Sequence, residues 1–310
     1  MDAQDRAAGS LLGLFVGDAF GAQTEFDMQA DIMEEFPQGI LEMDSKERNI
    51  GDPGMITDDS EMAVMLATSL IHRNGLDVRD VRRRYLAWLN AEPSDLGTTI
   101  LEALKEGRFN PDSQANGALM RLAPLAIYGT KVSEEQLIEW VDKECAITHI
   151  HEICRDANRL WALAIAKAVK DGGTKEELYS YLCSIAPTYT KNQQLLLALH
   201  DAAGKEPQAC DDWDQGWVLI AFQQALYTLL HASSIEEGIQ SITNRGGDAD
   251  TNAAIYGMLA GAIEGKTAIP LKWIDGLRPT RCLKDLLGQQ ADDLAKLAVD
   301  LCTGLLGIKD

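Results

Sequence analysis

Apolar residues return every three or four positions along most of the chain. The clearest stripe consists of Ile153, Ala157, Leu160, Trp161, Ala164, Ile165 and Ala168. This spacing places the side chains on one face of a helix. The same spacing recurs in segments 6–16, 60–73, 78–91, 97–106, 117–128, 134–147, 215–231, 250–264 and 281–306. Alternating patterns typical of strands do not reach a useful length, so the sequence predicts an all-α fold.

The helical segments are separated by short breaks that contain Gly or Pro, and they show no repeat of fixed period. This organisation favours a globular bundle over a solenoid. The chain has 310 residues, which is near the size of roughly 250–300 residues at which a single core stops growing. Neither the long aperiodic break at 37–56 nor the acidic break at 204–214 indicates a boundary. We therefore predict one domain over residues 1–310.

The charge of the chain narrows the range of partners. Asp and Glu number 48 and Lys and Arg 28, which gives a net charge of −20. Such a surface repels a phosphate backbone unless a strong basic patch compensates. The densest basic stretch, 82–84, is more typical of a solvated helix face. We predict that no nucleic acid polymer binds this protein.

Targeting and redox features are equally sparse in the sequence. The six cysteines are widely spaced and form no C-x-x-C pair, which indicates reduced thiols rather than a zinc or redox site. The apolar stretch 11–16 is short, follows two acidic residues and runs into Gly17-Asp18, so it does not resemble a signal peptide. No stretch reaches the ~20 apolar residues of a membrane span. The expected location is the cytoplasm, without a membrane partner.

A first acidic cluster, Thr57-Asp58-Asp59-Ser60-Glu61, opens an amphipathic helix. Asp58 and Glu61 have the spacing of a capping box, and acids in a first turn interact favourably with the helix dipole. Taken alone, this cluster is therefore better explained by helix capping than by function.

A second cluster, Gly246-Gly247-Asp248-Ala249-Asp250-Thr251, repeats the same chemistry at another helix start. Capping is again the simple alternative, but it does not require two glycines, which allow close approach of the backbone. A calcium loop is excluded because its sixth and twelfth positions would be Ala253 and Leu259, where Gly and Glu are needed. A phosphatase aspartate motif is excluded because residues 243–247 do not form a buried strand.

If the two helix starts converge, Asp58, Asp59, Asp248 and Asp250 bring four like charges together. That arrangement is unfavourable unless protons or cations compensate. Carboxylate and hydroxyl oxygens suit Mg²⁺ or Mn²⁺, and paired ions can hold substrate oxygens and activate a water. Convergence would therefore indicate a site for divalent cations.

These motifs, in this order, resemble the ADP-ribosylglycohydrolase family over nearly the whole chain. Residues 9–21 with Glu25 are similar to its N-terminal helix and turn, and the two acidic clusters to its metal motifs. The resemblance implies an all-α domain with a binuclear centre of two divalent cations, Mg²⁺ or Mn²⁺. Ser60 stands where the family usually has Thr, which keeps the oxygen. The implied metal ligands are Thr57, Asp58, Asp59, Asp248, Asp250 and Thr251.

The resemblance also implies catalytic residues. The segment 94–99 resembles the family's Asp-x-Gly segment, which makes Asp95 a catalytic candidate near the substrate ribose. From the residues alone, Asp95 would rather be an N-cap for the helix that follows. Glu25 matches a Glu that approaches the metal-bound water, although a single Glu after a glycine turn is usually just exposed.

Four residues are implied to contact the substrate: Asn116, Gly117, His149 and Gly247. The segment 116–121 resembles the family's diphosphate-binding loop and helix start, and helix N-termini suit phosphate. Ala115 replaces the Gly that usually precedes Asn116, which changes the backbone conformations open to the loop. His149 belongs to a Thr-His segment beside the site in the family, whereas a lone His before a helix is more often structural.

The resemblance implies a hydrolase that removes ADP-ribose from a modified protein, with arginine the favoured acceptor. O-linked ADP-ribose, on serine or as an acyl ester, is the alternative substrate. A catalytically silent ADP-ribose-binding or toxin-neutralising immunity protein is the alternative class, and the complete ligand set argues against it. The expected partners are an ADP-ribosylated protein and ADP-ribose. Such a role is also compatible with functional pairing with an ADP-ribosyltransferase or toxin.

Overall fold

The computed structural model of the chain describes residues 1–43, 52–210 and 214–308. Within these ranges it contains sixteen α-helices and no β-sheet, only isolated bridges. The helices are α1 (Ala3–Gly21), α2 (Gln29–Glu35), α3 (Asp58–Arg73), α4 (Val78–Asn90), α5 (Thr98–Leu101), α6 (Ala123–Gly129), α7 (Glu134–Cys145), α8 (Glu152–Asp171), α9 (Lys175–Tyr189), α10 (Gln193–Asp201), α11 (Val218–His231), α12 (Ile235–Thr243), α13 (Ala249–Glu264), α14 (Leu271–Gly276), α15 (Arg281–Leu287) and α16 (Leu294–Leu306). The predicted all-α fold is confirmed.

Several helix boundaries differ from the prediction. The segment 281–306 is two helices, α15 and α16, joined by a 3₁₀ turn at Gly288–Asp292. That turn interrupts the apolar stripe because Ala291 is its one buried residue. The segment 117–128 is helical only from Ala123 onward. The apolar spacing therefore located the helices better than it located their ends.

Helices α1 and α13 form the centre of the bundle. Every residue of α1 from Ala7 to Gly21 is buried, and so is every residue of α13 from Ala249 to Ala262. A helix that is apolar on all sides needs neighbours on all sides, and α3, α8, α11, α12 and α16 pack around this pair. Among the described helices, none combines the length and apolarity needed to cross a bilayer.

A row of glycines lets α1 and α13 pack backbone against backbone. Gly9, Gly13, Gly17 and Gly21 recur every fourth residue and so share one face of α1. A Cβ atom at Gly13 would lie 2.1 Å from the carbonyl oxygen of Gly257, and one at Gly17 would lie 2.2 Å from that of Ala253. The row, hereafter the glycine row, runs antiparallel to α13. It brings the end of α1 beside the start of α13, where the second acidic cluster lies.

Candidate active site

Asp18 connects α1 to the first acidic cluster. Its carboxylate accepts hydrogen bonds from the Thr57 N–H at 2.9 and 3.0 Å and from the Ser60 N–H at 3.1 Å. It also accepts from the hydroxyls of both residues. Asp18 thus satisfies free N–H groups at the start of α3 from a separate helix. This contact fixes where Asp58 and Asp59 enter the site.

Asp18 was not among the predicted site residues, because the predicted helical segment 6–16 ends just before Gly17-Asp18. In the structure α1 continues through this pair to Gly21, and Asp18 is completely buried. The fourfold glycine spacing was the available signal, since it extends the helical period beyond residue 16. A lone Asp on such a helix requires a polar partner.

The structure brings the two acidic clusters together. The Thr57 hydroxyl lies 3.1 Å from Asp59 Oδ2 and 3.4 Å from Asp250 Oδ2, and the Thr251 hydroxyl lies 3.5 Å from Asp59 Oδ2. Carboxylate oxygens of Asp18, Asp59 and Asp250 all lie within 4.8 Å of one another. Residues from three different helix ends therefore form one compact group of oxygens.

A second acidic group adjoins the first. Carboxylate oxygens of Glu25, Asp248 and Asp250 also lie within 4.8 Å of one another, so Asp250 belongs to both groups. Asp248 is oriented by the Asn116 side-chain amide, which donates to its Oδ2 at 2.6 Å. Asp58 is in neither group, although it is buried and lines the adjoining cleft.

Helix capping does not explain these acids. Thr57 and Asp248 are the N-cap residues of α3 and α13, and neither makes a side-chain capping bond. Glu61 contacts the Trp88 indole N–H at 2.6 Å and the Thr280 hydroxyl, so it forms no capping box. Asp95 accepts from its neighbour Leu96, while Gly97 is the N-cap of α5. Helix capping therefore does not account for the acidic residues at these positions.

Burial makes the ionised acids unfavourable. Desolvation raises the pKa of Asp18 to about 7 and that of Glu25 to about 9, and neighbouring carboxylates add to the rise at Glu25. The same two causes raise the pKa of Asp59 and Asp250 well above the usual range. Without cations, these shifts favour the protonated over the ionised carboxyl groups in the folded protein.

The donor set fits hard divalent cations. Asp59 Oδ1 and Asp250 Oδ1 are buried and have no hydrogen-bond partner in the described ranges 1–43, 52–210 and 214–308. Buried polar atoms are seldom left unpaired without a reason. Carboxylate and hydroxyl oxygens are the ligands that Mg²⁺ and Mn²⁺ prefer. These two oxygens are therefore suited to coordinate a cation.

Metal-free protein should lose stability as the pH rises from about 5 to about 9. The folded-state pKa values of Asp18 and Glu25, about 7 and about 9, exceed the ordinary 3.8 and 4.5. Between these values the folded state binds protons that the unfolded chain has released. The resulting contribution to the free energy of unfolding is complete at low pH and is lost as the pH rises through the folded-state pKa values. Thermal unfolding with a chelator across this range measures the effect. A melting temperature that rises toward pH 9 would contradict it, and Mn²⁺ should reduce the pH dependence.

An open cleft of about 390 Å³ lies against the acidic groups. Its volume suits a nucleotide-sized ligand. Its charged lining residues are all acidic, and no Lys or Arg is among its described lining residues. The predicted site residues that line it are Glu25, Asp58, Asp95, Asn116, Gly117, His149, Asp248 and Thr251.

Gly247 does not line this cleft. Its carbonyl accepts from the Phe26 N–H at 2.7 Å, and its N–H donates to the Asp27 carbonyl at 2.9 Å. Both backbone groups are thus paired within the protein. Its φ of 67° is a conformation that favours glycine. Gly247 therefore shapes the turn that presents Asp248.

Phe26 is a second residue at the cleft that the sequence motifs did not indicate. Its φ of 64° is rare for an aromatic residue, and its side chain is 60% exposed at the cleft. Two hydrogen bonds between residues 26–27 and Gly247 hold this backbone in place. No pattern in the sequence indicated such an exposed ring beside Glu25.

Comparisons with known proteins define the class and then the family. The sequence model described as ADP-ribosylglycohydrolase matches residues 1–303. The protein is accordingly an enzyme of the class that hydrolyses glycosidic bonds. The chain belongs to the ADP-ribosylglycohydrolase family, as its sequence motifs predicted.

The chain is similar to relatives along most of their length. It is 30% identical to the ADP-ribosyl-[dinitrogen reductase] glycohydrolase of Rhodospirillum rubrum, over 88% of this chain and 90% of the relative. It is 25% identical to an ADP-ribosylarginine hydrolase of Serratia proteamaculans (strain 568), over 92% and 78%. A solved structure described as an ADP-ribosylglycohydrolase-related protein complex superposes with a TM-score of 0.79, at 28% identity and 99% coverage of both chains.

Proposed function

We propose that the protein hydrolyses the N-glycosidic bond between ADP-ribose and an arginine side chain, with two divalent cations bound at the acidic site. The observation that carries the proposal is the meeting of two acidic groups through Asp250 beside a cleft lined by Glu25 and Asp95. One relative is named for ADP-ribosylarginine and another for modified dinitrogen reductase. Both names agree with a protein substrate.

The cations would be held by the six residues that the family motifs imply. These residues are Thr57, Asp58, Asp59, Asp248, Asp250 and Thr251. Asp18, although in the same cluster, uses its oxygens mainly to hold the start of α3. Bound Mg²⁺ or Mn²⁺ supplies Lewis-acid stabilisation of oxygens and lowers the pKa of a water.

The electrostatics of the cleft favour a cationic acceptor. Its acidic lining residues are Glu25, Asp58, Asp95 and Asp248, and because Asp58 and Asp248 are proposed cation ligands, Glu25 and Asp95 are the acids left to face an acceptor. A modified guanidinium group carries positive charge, so it is attracted into this field, whereas a serine-linked acceptor gains no such attraction. The exposed ring of Phe26 offers a face on which a guanidinium could also stack.

Glu25 and Asp95 are the proposed proton-transfer residues. Both line the cleft, and among the described residues neither forms an ion pair with a cationic side chain. A carboxyl group with a raised pKa, such as Glu25, can give or take a proton near neutral pH. We assign to this pair the transfer of protons to the leaving group and from the attacking water. Glycosidic hydrolysis by paired carboxyl groups follows the same logic.

The test is release of free ADP-ribose from ADP-ribosylarginine and ADP-ribosylserine peptides in parallel, with Mg²⁺ or Mn²⁺ and with a chelator. We expect chelator-sensitive release from the arginine peptide. Faster release from the serine peptide would overturn the acceptor, and release that survives complete metal removal would overturn the metal requirement. Binding of ADP-ribose without release from either peptide, or from an acyl ester, would indicate a silent binding protein.

A further inference from the structure

A chain of buried polar side chains runs from the protein interior to the cleft. Arg121 and Glu144 are fully buried and form an ion pair at 2.8 Å between Nε and Oε1. The Tyr85 hydroxyl donates to the same carboxylate oxygen at 2.7 Å. Because a buried charge is stable only when paired, Glu144 holds the guanidinium in one orientation.

The orientation of Arg121 determines what Thr148 can do. Arg121 Nη1 donates to the Gly117 carbonyl at 3.0 Å, and Nη2 donates to the Thr148 hydroxyl oxygen at 2.8 Å. A guanidinium has donors only, so Thr148 Oγ1 must accept this bond. Its single hydroxyl hydrogen is then free to donate elsewhere.

The acceptor within reach is the ring of His149. Thr148 Oγ1 lies 2.8 Å from His149 Nδ1, and no other acceptor for the hydroxyl occurs among the described residues. If Nδ1 carried the proton, the Thr148 oxygen would accept twice and its hydrogen would be buried unpaired, which is costly. Nδ1 is therefore the acceptor, and the ring proton is on Nε2.

His149 remains neutral and its Nε2 lacks a partner. Burial, together with the nearby Arg121 charge, lowers the pKa of His149 to about 3. Nε2 is buried and makes no hydrogen bond to any residue that the structure describes, while the residue lines the cleft. The ring is confined from the side by Gly117, where a Cβ atom would lie 3.1 Å from His149 Cε1.

We infer that Arg121, acting through Thr148, fixes His149 as an Nε2–H donor to an acceptor oxygen of the ligand in the cleft. The identity of that ligand as ADP-ribose rests on the proposed function. With no Lys or Arg among the described lining residues, ribose and diphosphate oxygens need neutral donors besides cations. Arg121 and Thr148 are positioning residues, since neither lines the cleft.

The tautomer can be measured directly in the whole protein. With ¹⁵N-labelled histidine, two-bond NMR correlations distinguish a ring protonated on Nε2 from one protonated on Nδ1. The His149 signals are assigned by their loss in His149→Gln. We expect wild-type His149 to be protonated on Nε2 throughout neutral pH. Protonation on Nδ1 would overturn the inference, whatever the enzymatic activity proves to be.

A pair of variants tests the role of the hydroxyl. Thr148→Val removes it at nearly constant volume, whereas Thr148→Ser keeps it. We expect the His149 ring of Thr148→Val to populate both tautomers. We also expect this variant to bind ADP-ribose about 5–10-fold more weakly in calorimetry with Mn²⁺, because it loses the contribution of one hydrogen bond. Thr148→Ser should match the wild type in both readouts. A folded Thr148→Val with unchanged tautomer, or with unchanged affinity, would overturn the role of the relay.

Discussion

Asp59→Asn is expected to abolish turnover and metal binding together. Asp59 is completely buried, and its Oδ1 has no hydrogen-bond partner within the described part of the chain. The asparagine keeps the shape and removes the charge. Because Lewis-acid stabilisation is worth several kcal/mol, turnover should fall by about 10³-fold or more. Calorimetric titration with Mn²⁺ and release of ADP-ribose measure the two effects.

A matched substitution separates metal loss from catalytic loss. Asp95→Asn alters an acid that lines the cleft but belongs to neither acidic group. It should lower turnover and leave Mn²⁺ affinity near the wild type. Metal-free Asp59→Asn should also melt at a higher temperature than metal-free wild type, because it removes one buried carboxyl from a group with raised pKa values. Retention of either Mn²⁺ binding or turnover in Asp59→Asn would refute the assignment of this ligand.

Gly13→Ala is expected to destabilise the protein by at least about 3 kcal/mol, which is the upper part of the range for overpacking a core. Its Cβ atom would lie 2.1 Å from the Gly257 carbonyl oxygen, and that atom is helix backbone that cannot turn away. In an exposed helix the same change would stabilise by about 1 kcal/mol. The sign of the effect therefore tests the packing, and the melting temperature should fall by about 6 °C or more.

Gly204→Ala is the control for this substitution. Gly204 has no heavy atom within 4 Å of an added Cβ and no positive φ. We expect its melting temperature to equal or slightly exceed that of the wild type. If Gly13→Ala behaved in the same way, α1 and α13 would not be in backbone contact. Mn²⁺ affinity of Gly13→Ala, measured below its melting temperature, should also decrease, because the contact aligns Asp18 with Asp250.

The helical fold could be predicted because apolar residues recur at helical spacing along its long amphipathic segments. The segment 153–168, for example, lies within α8 as expected. Helices with weaker stripes were not predicted, and α9 carries Pro187 in its last turn. The ends of helices depend on tertiary partners, as the start of α3 does on Asp18. Such partners are distant in sequence and leave no local pattern.

The site was predictable to the extent that its residues occur in contiguous motifs. Both acidic clusters are short runs, and the structure brings them together. The chain of Tyr85, Glu144, Arg121 and Thr148 is assembled from separate helices and loops, so no spacing could reveal it. Gly247 has a local role that its motif did not indicate, because its backbone N–H and carbonyl are paired with residues 26 and 27.

The glycine row also has a consequence for how the protein is made. Thr57 and Asp250 are 193 residues apart in sequence and lie 3.4 Å apart in space. Closing so large a loop is slow, and the glycine row cannot pack against α13 until α13 has left the ribosome. A nascent chain therefore carries α1 without its main partner and exposes apolar surface that invites chaperones. The two acidic groups would therefore bind cations only after α1 and α13 have packed together, which is a late step of folding.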